Sequence, residues 1–349
     1  MSLKTVAALV FAVACVASMR LAAGAQSLTY TKGQNVAPAY EGWEQDADGS
    51  KFFVFGYMNR NWVEELDLPP GPDNSFAPGG PDLGQPTHFL PRRNRFVFKV
   101  PVPKTFSEKD EMIWTLTSHG VTEKAWATLR PDYLLDDVVK ASETGALGAG
   151  TSSPEVRANK PPVVRIEGSK TLAAKVGAPL TLTTIVTDDG IPKPRNVSAL
   201  AALFGASNGR GGTAAGAGRG GGDDLTAAAE AAGISPSQLQ QLQAARRNPS
   251  MVPPTKITVG KVTGLHLSWF VYRGAGAVTF SPEQVKPWED TRAGANSPWA
   301  PLWAPPAMPA DGKVVVQATF NEPGNYVLRS LADDGALLGG DSVTVTVTR

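Results

Sequence analysis

The chain has 349 residues, and its 33 Lys and Arg against 32 Asp and Glu leave a formal net charge of +1. A balance so close to neutral offers no basic stripe of the kind an electrostatic nucleic-acid partner requires. Cys15 is the single cysteine, which excludes an internal disulfide and a thiolate cluster for a structural metal.

The N-terminus, MSLKTVAALVFAVACVASMRLAAGAQS, carries Lys4, an apolar run from Val6 to Val16 and the small tripeptide Ala23-Gly24-Ala25. That order predicts a secretory signal peptide over residues 1–25, cleaved between Ala25 and Gln26. The apolar run is shorter than the ~20 residues a bilayer-spanning helix needs, so no transmembrane segment is predicted. An alternative makes Cys15 the acylated residue of a lipoprotein signal. Either way the chain is expected to be exported, to a periplasmic or extracellular location.

Residues 26–137 read as a first β-sandwich domain. KFFVFGYM, RFVFKVPV and EMIWTLTS are rich in the aromatic and β-branched residues that favour strands. Between them, PPGPDNSFAPGGPDLGQP holds proline and glycine at a density that continues neither helix nor ladder. It predicts one long irregular loop over residues 69–86, functional or mobile. DADG, residues 46–49, lacks the glutamate of a calcium loop and reads as a hairpin turn.

Residues 138–161 have the small, polar composition of a linker. A second β domain is predicted over residues 162–349, with strands at VVRIEG, LTLTTIVTD, LHLSWFVYRG, KVVVQATF, YVLRSLAD and SVTVTVT. In the last of these Val343, Val345 and Val347 share one face, the pattern of a half-buried strand. An insertion over about residues 196–256 interrupts the rhythm with low-complexity Gly and Ala, too poor in apolar surface to offset its ordering entropy. Within it SPSQLQQLQAARR predicts one short helix, capped by Ser235, opened by Pro236 and closed by Arg246 and Arg247. The fold class read from the sequence is therefore all-β, two sandwich domains with a low-complexity insertion in the second.

LTLTTIVTDDG, LHLSWFVYRG with Trp269, and FNEPGNYVLRSLADDG with Tyr326 resemble the immunoglobulin-like sandwiches of bacterial surface and secreted proteins, the PKD and cadherin-like groups in particular. Pro323-Gly324-Asn325-Tyr326 looks like the tyrosine corner of such sandwiches. The resemblance implies an immunoglobulin-like second domain, and a fold of that kind carries almost no information about function. The first domain, with GYMNRNW and GGPDLGQPTHFLPRR, is similar to exported bacterial proteins of no known activity.

Two acidic pairs, Asp188-Asp189 and Asp333-Asp334, end predicted strands and precede glycine. Asp-Asp-Gly is turn chemistry, with Asp capping and Gly taking positive φ. The cadherin-like resemblance implies the alternative, in which the four carboxylates ligate calcium. His88, His119 and His266 have no metal-binding or general-base spacing. A nucleophile elbow and a phosphate loop are both missing, and no cofactor is expected apart from that calcium.

Two aromatic clusters qualify as binding surfaces. Trp43, Tyr57, Arg60 and Trp62, beside Asn59, Asn61 and Arg92, Arg93 and Arg95, have the composition of a glycan platform, or alternatively of core rings beside a charged strand edge. Trp288, Trp299 and Trp303 lie in a proline-rich loop, where they pack inside the protein or form a partner patch. NGRGG and AGRGGG read as loop composition rather than an RNA tail. The function expected is a noncatalytic exported protein for binding, adhesion or assembly at the bacterial envelope, with a protein or glycan as partner. The rivals are a polysaccharide-acting enzyme or its carbohydrate-binding accessory module, and a subunit of a larger extracellular complex or filament. Glycoside hydrolysis needs paired carboxylates, and Glu64, Glu65, Asp67, Glu111, Asp188 and Asp333 are too scattered in sequence to pair.

Overall fold

A computed structural model describes residues 32–61, 63–143, 154–193, 264–286 and 308–349. The leader, the insertion with its helix, Trp62 and the loop of Trp288, Trp299 and Trp303 lie outside the described residues. Among those described, the regular structure is almost entirely strand, and no helix is long and apolar enough to cross a membrane.

The first sandwich uses β1 (Val36–Gln45), β2 (Lys51–Asn59), β3 (Leu66–Asp67), β4 (Asn74–Ala77), β5 (His88–Phe89), β6 (Arg92–Pro101), β7 (Met112–Ser118) and β8 (Val121–Ala127). One sheet runs β1-β2-β6, the other β4-β7-β8, and β3-β5 forms a small ribbon. Strict alternation in β7 sends Met112, Trp114, Leu116 and Ser118 inward. There Trp114 stacks on Phe76 at 5.8 Å and meets Phe98 edge-on at 5.0 Å. Each such pair is worth about 0.5–1.5 kcal/mol beyond the area it buries. β6 bulges opposite Gly56, where the register passes from Phe55–Phe98 to Tyr57–Asn94, and a Cβ on Gly56 would strike the Glu41 carboxylate and the Asn94 carbonyl. Only glycine fits that approach.

Buried amides hold the irregular segments in place. Asn74 donates to the carbonyls of Leu68 and Pro86, both at 2.9 Å, and accepts from Trp114 Nε1 at 3.0 Å. Gln85 donates to the carbonyls of Pro81 and Asn74 and accepts from Leu83 N–H. Residues 69–86, expected as one irregular loop, contain strand β4, and these side-chain amides staple the segments on either side of it from within.

The second sandwich uses β9 (Val163–Ile166), β10 (Thr171–Lys175), β11 (Pro179–Thr187), β12 (His266–Arg273), β13 (Val278–Ser281), β14 (Lys313–Phe320), β15 (Gly324–Asp333) and β16 (Leu338–Thr348). Its sheets run β9-β11-β14-β13 and β10-β16-β15-β12, with β10 parallel to β16 and every other pair antiparallel. Taking β9, β11, β14 and β13 as A, B, E and D, and β12, β15 and β16 as C, F and G, this is the immunoglobulin strand order. The expected insertion falls in the B–C connection. Val343, Val345 and Val347 of β16 are buried, as their alternation predicts.

Tyr326 forms the corner. Its ring is fully buried, and its hydroxyl lies 2.7 Å from the Ala275 carbonyl and 3.0 Å from that of Glu322. Tyr326→Phe is expected to cost about 1 kcal/mol, the net worth of one such bond. Trp269→Ala, which empties the centre of the same core, is expected to cost about 3–5 kcal/mol. Thermal melts of the full chain check both.

The stretch read as a linker contains two short helices, Asp137–Glu143 and Pro154–Ala158. Ala141 of the first packs in a small cluster with Ala336 and Leu337 of the second sandwich. Lys140 of that helix, with Lys99 of β6, pairs with the buried carboxylate of Glu44 and holds its pKa below the usual range in spite of burial.

Candidate functional site: the joint between the sandwiches

β12 is buried on both faces, with Trp269 and Val271 in its own core. The opposite phase turns Tyr272 outward, onto the first sandwich, and Phe270 beneath the Lys286 ammonium at 5.8 Å. Tyr272 is only 5% exposed and belongs to the aromatic core of the first sandwich, together with Val327 of the adjacent β15. Arg329 of β15 lies over the Tyr272 ring at 3.7 Å and donates to the Val97 carbonyl of β6. A guanidinium stacked in a desolvated setting is worth up to ~2 kcal/mol.

The end of the long loop completes the joint. Arg273 grips Asp82 with both guanidinium arms, at 2.6 and 3.0 Å, and its Nε donates to the Gln85 carbonyl at 2.8 Å. That pairing holds the Asp82 carboxyl below the ordinary range. Thr87 N–H donates to the Tyr272 carbonyl and Gly274 N–H to Thr87 Oγ1, each at 3.1 Å, while the Tyr272 hydroxyl donates to the Gly84 carbonyl. Lys286 Nζ reaches Asn94 Oδ1 at 2.7 Å. Thr87 therefore covers the C-terminal end of the β12 edge, while Gln284 accepts from the Trp269 N–H farther along it, and both discourage pairing with another strand.

Beside the joint, His88 on the ribbon is clamped between two carboxylates. Nδ1 lies 2.8 Å from Asp67 Oδ1 and Nε2 lies 3.0 Å from Glu65 Oε2. Burial alone would lower its pKa, but the two carboxylate bonds outweigh it and raise the imidazole to about 9. Both nitrogens then carry protons and donate. A doubly protonated ring has no lone pair for a metal or for a substrate proton.

Each aspartate of the two acidic pairs accepts a backbone N–H of its own turn, and Asp333 Oδ2 also lies 4.0 Å from His266 Nε2. Asp188 accepts from Gly190 N–H at 2.9 Å and Asp189 from Ile191 N–H at 2.9 Å and Lys160 N–H at 3.0 Å. Asp333 accepts from Gly335 N–H at 2.8 Å. Asp334 accepts from Ala336 and Leu337 N–H at 2.6 and 2.7 Å and from Asn159 Nδ2 at 3.0 Å. Burial nonetheless pushes the Asp334 carboxyl up to about 6. Among the described residues no three His, Cys, Asp or Glu side chains converge to hold a metal ion.

The first aromatic cluster is not one surface. Trp43 and Tyr57 lie in the core: Trp43 Nε1 donates to the Arg130 carbonyl at 2.9 Å, and the Tyr57 hydroxyl accepts from Leu90 N–H at 3.0 Å. Asn59 and Asn61 are fully buried and bond to each other and to backbone. Arg60 stays at the surface, paired with Glu123 at 3.2 Å. A glycan platform built from Trp43 and Tyr57 is thereby corrected, because the rings face the sandwich interior.

Sequence reasoning missed Tyr272, Arg273, Arg329 and Asp82. The signal was present in the run Trp269-Phe270-Val271-Tyr272, where the alternation begun by His266 and Ser268 gives way to large apolar residues in both phases, as expected of a strand covered on both faces.

No protein-family model and no curated relative matches the chain. Among solved structures, an S-layer protein aligns over 90% of this chain at 9% identity and a TM-score of 0.20, and the chain spans 28% of that protein's length. The D00-D0 domain of intimin aligns over 89% of this chain and 100% of its own at 9% identity and a TM-score of 0.20. A protein of unknown function from Porphyromonas gingivalis W83 aligns over 89% of this chain and 98% of its own at 8% identity and a TM-score of 0.21. Overlaps that small support no assignment.

Proposed function

We propose that the protein is an exported, noncatalytic β-sandwich protein that binds or assembles at the bacterial envelope. The observation that carries this reading is the joint. Aromatic packing, a bidentate ion pair and a capped strand edge fix one sandwich on the other, as suits a part that transmits load or presents a surface. The side chains best suited to acid–base work support it further. His88 and the four aspartates at the strand ends are engaged by structural bonds that a catalytic cycle would have to break.

Incubating the purified chain with envelope fractions and with soluble polysaccharides tests the proposal. Cosedimentation with the envelope, with no new reducing ends, is the expected result. Turnover of a polysaccharide by the purified chain would overturn it in favour of the enzyme reading.

Calcium is expected to be dispensable. A ligand at 100 times its dissociation constant stabilises by about 2.7 kcal/mol, several degrees in a melt. Because each aspartate of the two pairs already accepts backbone N–H donors, melts in millimolar calcium and in chelator are expected to superimpose. A calcium-dependent shift lost in Asp189→Asn would assign a metal site to these corners.

A further inference from the structure

The outer face of sheet β4-β7-β8 has an organisation that the core does not require. Register places Ala77, Ile113 and Trp126 in one row across the three strands. The next outward row is Ser75, Thr115 and Lys124, and beyond it Thr117 and Thr122 share a 3.0 Å hydroxyl contact. Trp126 is 51% exposed, while its strand neighbours Ala125 and Ala127 are buried. The strand thus spends its two smallest side chains on the core and its largest on solvent, the reverse of what burial favours.

We infer that this face is a glycan platform, with a sugar ring packed on the Trp126 indole and its hydroxyls bonded by Thr115, Thr122 and Lys124. This inference deepens the binding reading above by naming the ligand class. Three arguments select a neutral glycan over other occupants. An indole face offers a flat, electron-rich apolar surface, which matches the C–H face of a pyranose. The rows beside it present hydroxyls, which donate and accept as sugar hydroxyls do. Within the strands the outward positions carry one charge, that of Lys124, and the exposed Asp73 and Glu111 stand in the same phase at the strand ends, so the mixed signs complement neither a strongly acidic nor a basic partner. Size argues against a protein. Three strands of seven residues or fewer give roughly 20 Å by 15 Å from the strand rise and spacing, about 300 Å². A stable protein interface covers about 800 Å² per partner.

Native gels cast with soluble β-glucan, xylan, mannan or dextran, and with polygalacturonate as an acidic control, test the platform on the full chain. At least one neutral glycan is expected to retard the wild-type protein. Trp126→Ala, on the surface and therefore folded, is expected to weaken that retardation at least tenfold, and Thr115→Val severalfold. Retardation by none of the neutral glycans, or equal retardation of Trp126→Ala, would overturn the inference. Envelope cosedimentation of Trp126→Ala is measured in parallel. If it persists while no glycan binds, the platform fails and the broader binding reading stands; if both are lost, the platform is how the protein binds the envelope.

Discussion

Tyr272→Ala is expected to destabilise the protein by about 3–5 kcal/mol, the usual cost of deleting a large buried aromatic. It is also expected to change how the protein unfolds. Tyr272 belongs to the second sandwich by sequence and to the core of the first by packing. Removing it leaves Arg329 without the ring it stacks on and deprives the Gly84 carbonyl of its donor. The wild-type chain should melt in one transition reported alike by near-ultraviolet dichroism and by calorimetry. The variant should melt in two, because the sandwiches keep separate cores once the joint is open. Arg273→Ala, which removes a partly exposed ion pair but leaves the ring in place, should cost less and keep one transition. Identical single transitions in both variants would mean that the contact is not what couples the sandwiches.

The parts of this arrangement that sequence reasoning reached are those fixed by local chemistry. β16 was legible because Val343, Val345 and Val347 alternate with threonines, and burial follows the same alternation. Tyr326 was legible because Pro-Gly-Asn-Tyr before a strand prescribes a corner, and the hydroxyl finds backbone carbonyls as that motif requires. The Asp-Asp-Gly turns followed from the short reach of aspartate to the backbone two residues on.

The joint was not legible because it depends on pairs far apart in the chain, such as Asp82 with Arg273 and Val97 with Arg329. Composition marked residues 69–86 as irregular, which concealed strand β4 among the prolines and glycines and could not reveal what the remainder touches. Aromatics misled for a related reason. Trp43, Tyr57 and Trp126 have equal claims to a surface when read by composition. Strand phase separates them: Trp43 and Tyr57 fall on inward positions, whereas Trp126 falls between two inward alanines. The EKAWATLR stretch shows that phase in a single line of sequence, since the small residues flanking the tryptophan occupy the core positions.

The clamp on His88 leads to the second large effect. Its folded pKa of about 9 lies above the usual value for an unfolded chain, about 6.5. A raised pKa means that the folded state holds the proton more tightly, so the clamp contributes fully below pH 6.5 and is lost as pH rises through 9. The difference corresponds to about 3 kcal/mol at one pKa unit per ~1.4 kcal/mol. His88 is largely buried, with 11% of its side chain exposed, but Glu65 and Asp67 are 41% and 43% exposed, so solvent screening makes this figure an upper bound. Asp334, raised to about 6, loses its contribution at lower pH, and Tyr40 and Tyr57, raised by burial, make their difference only above pH 10. Denaturant midpoints of the wild-type chain should therefore fall between pH 6.5 and 9.5. His88→Gln should be less stable than wild type at pH 6.5, equal to it near pH 9.5, and nearly flat between. A wild-type profile that is itself flat across this range would show that Asp67 and Glu65 do not hold an imidazolium. The ribbon beside the joint would then owe its position to the burial of Phe89 and to its backbone bonds with Asn59, Tyr57 and Tyr272.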